Sequence, residues 1–225
     1  MTPFIINVAF DESGLEKIYA DGLTCALARP VASSVVGSAG SDARSSEAPG
    51  EYPIAWVVFK PLKSNKVVIE DAWFVYMTTT PLRAAETIHI NAITDLPAVA
   101  GIEYRFRNGH FDALDSTGRT ALDVYSVVNQ VPNQIYAFGL AQSAIVNNKV
   151  QSRTATNAAY VPWNMQAFFQ PQHVVEIFLS SCKINGTVCP EVRSDRLRLT
   201  YDAGTSEANV VYSTAANRFY LMPSR

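Results

Sequence analysis

Charge, cysteine and histidine are all scarce in this chain, and each shortage narrows what it can be. Asp, Glu, Lys and Arg make up 17% of the 225 residues, and 18 Lys+Arg against 20 Asp+Glu leave a net charge of −2. The basic residues form no cluster, so nothing offers the concentrated positive charge that phosphate backbones require, and nucleic acid is not an expected partner. Three cysteines are too few for a disulfide framework and suit a reducing compartment. No run approaches the ~20 apolar residues of a membrane-spanning helix. The opening stretch MTPFIINVAFDESG has no basic segment ahead of an apolar one, and Asn7 interrupts its apolar run, so it does not read as a signal peptide. The expected location is therefore cytoplasmic. Catalytic signatures are missing as well: there is no G-x-S-x-G, no Walker loop, no H-E-x-x-H and no dinucleotide fingerprint. Glu70 and Asp71 are neighbours that a strand would turn to opposite faces, which makes them a poor acid–base pair. An enzyme is the less favoured reading, and no cofactor is expected.

What the chain does have is apolar residues, 48% of the total, arranged mostly in period two. Phe4, Ile6, Val8 and Phe10 alternate and predict a strand. A single short helix follows, with Asp11 as N-cap, Leu15, Ile18 and Tyr19 at helical spacing, and Gly22 to end it. Residues 24–30 read as a second strand. From residue 52 onward strands come at short intervals: 54–59, 67–69, 72–78, 86–93, 102–107, 122–129, 134–146, 167–169, 174–184, 197–201 and a last hairpin over 209–222. Within 134–146, Tyr136, Phe138 and Leu140 are bulky while Ala137, Gly139 and Ala141 are small. Such a face admits a close backbone or ring, and Trp56 or Trp73 is the expected neighbour. The pattern predicts a mostly β chain, an antiparallel β-sandwich or jelly roll with one short N-terminal helix. It forms one domain over 1–225, because a split at the Ser/Gly/Ala-rich stretch 31–50 would leave too small a first piece. That stretch is expected to be a flexible loop, with an arm that orders on a partner as the sharper alternative.

Two Asn-Gly pairs predict tight hairpins, because both central residues of a type I′ turn need positive φ. Asn108-Gly109 sets Phe106 opposite Phe111 and Arg105 opposite Asp112. Asn185-Gly186 sets Ile184 opposite Thr187 and Cys182 opposite Cys189, at a hydrogen-bonded position that suits a relaxed disulfide poorly. The cysteines are therefore expected to be reduced. Pro190 would then mark an edge strand. Asn185-Gly-Thr187 also fits the N-glycosylation pattern, but the turn accounts for the same residues.

Candidate sites are few. His110-Phe-Asp112, with Asp115 nearby, offers ligands to a cation from one hairpin, but zinc or iron would need a further ligand from elsewhere. The expected reading is a solvated hairpin in which Asp112 pairs with Arg105, and no metal is assigned. His89 and His173 complete the histidines. Tyr160, Trp163 and Asn164 lie in a polar stretch expected to be irregular, where rings beside amides suit stacking on a sugar or a protein surface; folding of Trp163 onto the core is the plainer alternative. The leading expectation is a non-enzymatic binding protein, carbohydrate-binding and lectin-like, with a carbohydrate or protein partner through Tyr160, Trp163 and Asn164. The alternatives are a self-assembling, homo-oligomeric structural protein, a membrane-active toxin-like protein, and an enzyme built on a histidine.

Overall fold

The alternation at Phe4, Ile6, Val8 and Phe10 produces β1 (Phe4–Ala9) with one buried face in the computed structural model, which describes residues 3–37, 53–114, 121, 123–201 and 206–223. Helix α1 (Glu12–Ala20) begins where the sequence predicts. The Asp11 carboxylate accepts a 2.6 Å hydrogen bond from Gly14 N, and the chain leaves through Gly22 at φ 62°. That bond holds the Asp11 carboxyl below its ordinary range.

The strands that follow are β2 (Thr24–Ala28), β3 (Val31–Gly37), β4 (Ile54–Ala55), β5 (Val57–Phe59), β6 (Ser64–Thr78) and β7 (Ala92–Ile93). Then come β8 (Glu103–Arg107), β9 (His110–Leu114), β10 (Tyr125–Asn129), β11 (Tyr136–Val146), β12 (Lys149–Ala155) and β13 (Ala159–Val161). The last are β14 (Met165–Pro171), β15 (Val174–Ser180), β16 (Thr187–Val188), β17 (Leu197–Thr200), β18 (Glu207–Ser213) and β19 (Arg218–Met222). The largest sheet runs β12-β11-β6-β1-β18-β19, with β13 added to β11 and β7 to β6. A second runs β3-β14-β10-β8-β9, a third β17-β15-β2-β5, and β16 pairs with β4 alone. The chain is mostly β with one short helix and a sandwich-like stacking of antiparallel sheets, as the pattern predicts. Two pairs, β1 with β18 and β8 with β10, are parallel.

Strand β6 ties three cores together. Val67 and Ile69 enter the core under β1, α1 and β2; Trp73, Val75 and Met77 enter a second with Phe106, Phe138 and Phe169; Phe74 and Tyr76 enter a third with Ile54, Ile88 and Val188. The small face of β11 is used as expected, though by a different neighbour. A Cβ on Gly139 would sit 2.0 Å from Asn157 O and 2.9 Å from the Tyr76 ring, so only glycine fits. Trp56 packs further along, its Nε1 donating to Gln142 O at 2.9 Å.

Four segments differ from their expectation. Val31–Gly37 is not loop but strand β3, paired with β14 over its whole length; its serines sit half-covered, Ala32 is exposed and Val35 is buried, and residues 38–50 lie outside the described residues. The polar stretch holding Tyr160, expected to be irregular, enters as strand β13 on β11, and the residues before it belong to β12, turned back on β11 by Asn147-Asn148 at φ 48° and 65°; asparagine here meets the demand that glycine meets in an Asn-Gly turn. The expected strand 86–93 is mostly irregular. It hooks onto β16, with Ala85 N donating to Val188 O at 2.8 Å, Ile88 N to Gly186 O at 3.0 Å and Val188 N to Glu86 O at 2.9 Å. Asn185-Gly186 does turn the chain, but with positive φ at Gly186 (75°) and not at Asn185, so it is not the expected type I′ turn, and β16 does not return along β15. Both sides of β15 are occupied, by β2 and β17, so β16 pairs with β4 and Pro190 marks no hairpin edge.

At the seam between the first two cores lies Arg29, 2% exposed. Its guanidinium carbon is 4.9 Å from the Trp73 ring centre, 5.1 Å from Tyr201 and 5.6 Å from Trp56. Nη1 donates to Gln142 Oε1 at 2.7 Å, Nη2 donates to the Tyr201 hydroxyl, and Gln142 Nε2 passes the network on to Glu70 O at 2.7 Å. Burial lowers the Arg29 pKa from its ordinary value, opposed by Tyr201 and Asp71. Arg29→Ala would open a hole among three rings and strand Gln142 Oε1. It is expected to cost about 3 kcal/mol in a urea or guanidinium unfolding curve; a change within experimental error would show that the seam does not depend on this cation.

Candidate functional site

The Tyr160–Asn164 segment is built from β13 and the turn after it. Ala159 and Val161 point inward at 2% and 0% exposure, so the alternation of a strand turns Tyr160 outward. Its hydroxyl accepts a 2.8 Å hydrogen bond from Leu82 N, which anchors the ring to the segment between β6 and β7. Pro162-Trp163-Asn164-Met165 is a tight turn closed by Met165 N donating to Pro162 O at 3.1 Å. Asn164 takes the positive φ, 58°, that the third position of a type II turn demands. Trp163 occupies the corner before it and is 50% exposed. Its ring does not fold onto the core.

One buried residue holds this corner in place. Asn129, at the end of β10, accepts Asn164 N on its backbone oxygen at 2.8 Å. Its side-chain Nδ2 donates to Val161 O at 2.8 Å and Gln134 O at 3.0 Å, while Oδ1 accepts Val131 N at 3.0 Å. The turn 162–165 and the loop 130–135 are thereby one rigid piece, and Gln130 N ties that loop to Phe106 O at 2.9 Å. Strand register puts Gly37 opposite Met165 and Phe106 opposite Asn129, so Gly37, the Asn108-Gly109 tip, loop 130–135 and the Trp163 turn share one end of the second sheet. Ile135, 63% exposed, is on the same loop. Tyr160 and Trp163 make no ring–ring contact among the described residues.

The other candidates separate. The Asn108-Gly109 hairpin has the predicted register, with φ 51° and 83° at its turn and the Phe106 and Phe111 rings 5.0 Å apart and tilted by 52°. Asp112 faces Arg105 in register, yet its ion pair runs diagonally to Arg107 at 2.6 Å, while Arg105 bonds Glu103 at 2.7 Å. The Arg107 hydrogen bond keeps the Asp112 carboxyl below its ordinary range. His110 Nε2 lies 3.3 Å from Asp112 Oδ1, and Asp115 lies outside the described residues. His89 sits in the irregular segment before β7 and His173 stands edge-on to Tyr201 at 5.6 Å, so the three histidines occupy separate elements. Among the described residues no three His, Cys, Asp or Glu side chains are grouped to hold a metal ion. The Asn185 side chain is engaged at both ends, accepting Val58 N at 2.7 Å and donating to Gln151 at 2.8 Å, which leaves its amide to the turn rather than to a glycan.

Depressions in the surface of the described residues include three shallow ones. One of about 310 Å³ lies between Leu199 and Leu221, one of about 330 Å³ between Ser33 and Phe168, and one of about 390 Å³ between Arg196 and Tyr220. None of these is lined by Tyr160, Trp163, Asn164 or a histidine. Trp163 itself stands half-exposed at its turn. Asn129, which supports it, went unread in the sequence; the signal was an amide at the end of the apolar run Val127-Val128. No helix among the described residues is long and apolar enough to cross a membrane.

Trp56 and Trp73 are buried at 0% and 4% exposure, so Trp163 is the one tryptophan open to solvent. Acrylamide is expected to quench a single red-shifted component of the native fluorescence, and Trp163→Phe to remove it; uniform quenching of all emission would contradict this placement. No protein-family model, curated protein or solved structure matches the chain.

Proposed function

We propose that the protein is a non-enzymatic binding protein that takes carbohydrate on the Trp163 corner, with Tyr160 and Asn164 beside it. The observation that carries this reading is the half-exposed Trp163 ring on a turn locked by the buried Asn129. An indole left in water on a braced turn exposes apolar area without gaining stability from it. A flat ring of this kind suits the C–H face of a pyranose. A ring open to solvent on the surface suits a glycan chain or a surface-borne glycan. A glycan array is expected to give a selective hit, and Trp163→Ala to weaken it about tenfold or more at an unchanged melting temperature. No binding to any glycan removes the carbohydrate reading.

A second reading, self-assembly, is favoured by β19. This strand ends the largest sheet and exposes Tyr220, Leu221 and Met222 at 36%, 57% and 47%. An apolar sheet edge is a template for another strand. Sedimentation velocity is expected to show association that Leu221→Lys abolishes; a monomer at high concentration would exclude this reading.

A further inference from the structure

The Asn185-Gly186 turn brings together two thiols that the Trp163 corner does not use. Cys182 follows β15 and Cys189 follows β16, and their sulfurs are 2.8 Å apart. The pair is buried beside Ala26, Ala28, Ala55 and Phe178. Because β16 pairs with β4 and β15 with β2 and β17, the contact joins two separate ladders.

The two sulfurs are not equivalent. Cys182 is the more open, at 5% exposure against 0% for Cys189. Its backbone N donates to Ser180 Oγ at 3.2 Å. Either sulfur can donate to the other at this distance; the contact with Cys189, with help from Ser180 and Lys183, draws the Cys182 thiol below its ordinary pKa, while the contact with Cys182 and burial push Cys189 up. Cys25 is fully buried in the main core, where burial raises it too. One thiol disposed to ionise, with a second held against it, is the arrangement that thiol–disulfide exchange uses.

We propose that Cys182 and Cys189 form a reversible dithiol–disulfide site that exchanges with low-molecular-weight disulfides such as oxidised glutathione. The Cys182 thiolate attacks one sulfur of the small disulfide, forming a mixed disulfide and releasing one small thiol. Cys189 gives up its proton, attacks the Cys182 sulfur and expels the second small thiol. The protein loses two electrons and two protons, and the small disulfide becomes two thiols. The new bond closes the turn and pins β16, and with it the segment at 85–88 that hangs on Gly186 and Val188.

The test is equilibration of the full native chain in glutathione buffers of stepped ratio, followed by acid quench, alkylation and peptide mapping. The expected result is a single Cys182–Cys189 bond that reverses with reduced glutathione, with Cys25 alkylated throughout after unfolding. Cys189→Ser, whose hydroxyl can still donate to Cys182, is expected to accumulate the glutathione adduct on Cys182. Cys182→Ser is expected to accumulate none. Three reduced thiols at every ratio, a bond involving Cys25, or an adduct on Cys189 would each overturn the proposal; the wild-type mapping decides it even where a variant does not fold. In the oxidised form the amides of Ala85, Ile88 and Val188 are expected to exchange with deuterium roughly tenfold more slowly. Equal rates would overturn the pinning.

Discussion

The guanidinium of Arg29 is the interaction on which the arrangement of sheets depends. Arg29 leaves the end of β2, yet its partners come from elsewhere: Gln142 on β11, Trp73 on β6, Trp56 between β4 and β5, and Tyr201 after β17. A cation in such a place carries a large desolvation cost, which rings and hydrogen bonds offset only if all of them are in position. That requirement fixes how the third sheet lies against the largest one. It also explains why β11 carries a register shift at Gln142: the shift frees the Gln142 side chain to reach Arg29 on one side and Glu70 O on the other.

Buried and half-buried amides repeat this role across the molecule. Asn129 holds the Trp163 turn and the 130–135 loop, Asn157 bonds Leu140 N and Ser33 Oγ, and Asn65 bonds Leu62 N, Leu62 O and Val8 O. Each satisfies backbone groups where the chain leaves a ladder, the points at which a sheet protein otherwise buries unpaired N–H and C=O groups. The Trp163 corner inherits its rigidity from this device. In the proposed binding role, a ring on such a support would meet its partner without first losing much freedom, which favours affinity.

Much of the fold was legible because period-two burial is local information. Phe4 to Phe10, the Asp11 cap, the Asn108-Gly109 register and the small face at Gly139 all follow from neighbouring side chains. What could not be read was decided by partners distant in sequence. Asn185-Gly186 makes its turn, but whether β16 runs back along β15 depends on β2 and β17 already flanking β15. The serines of β3 look like a loop until β14 lies beside them, and the Asn147-Asn148 turn hides because asparagine is less emphatic than glycine at positive φ. For the candidate site, the exposed residues were readable and their support was not: Trp163 and Tyr160 announce themselves as rings in polar company, whereas the bonds of Asn129 join residues that only the fold makes neighbours.

The parallel pairing of β1 with β18 has a consequence for how the chain reaches this state. Asn7 bonds Glu207 and Asn209, two hundred residues further on. Strand β6, nearer to β1 in sequence than β18 is, covers one side of β1 by the shorter of the two loop closures. The other side of β1 waits for β18, and closing so long a loop is entropically slow. Until then Ile5 to Ala9 present an unsatisfied ladder on a nearly finished sheet, open to a wrong strand as well as the right one. The pairing that completes the sheet is thus also the step at which a folding chain is most exposed to misassembly.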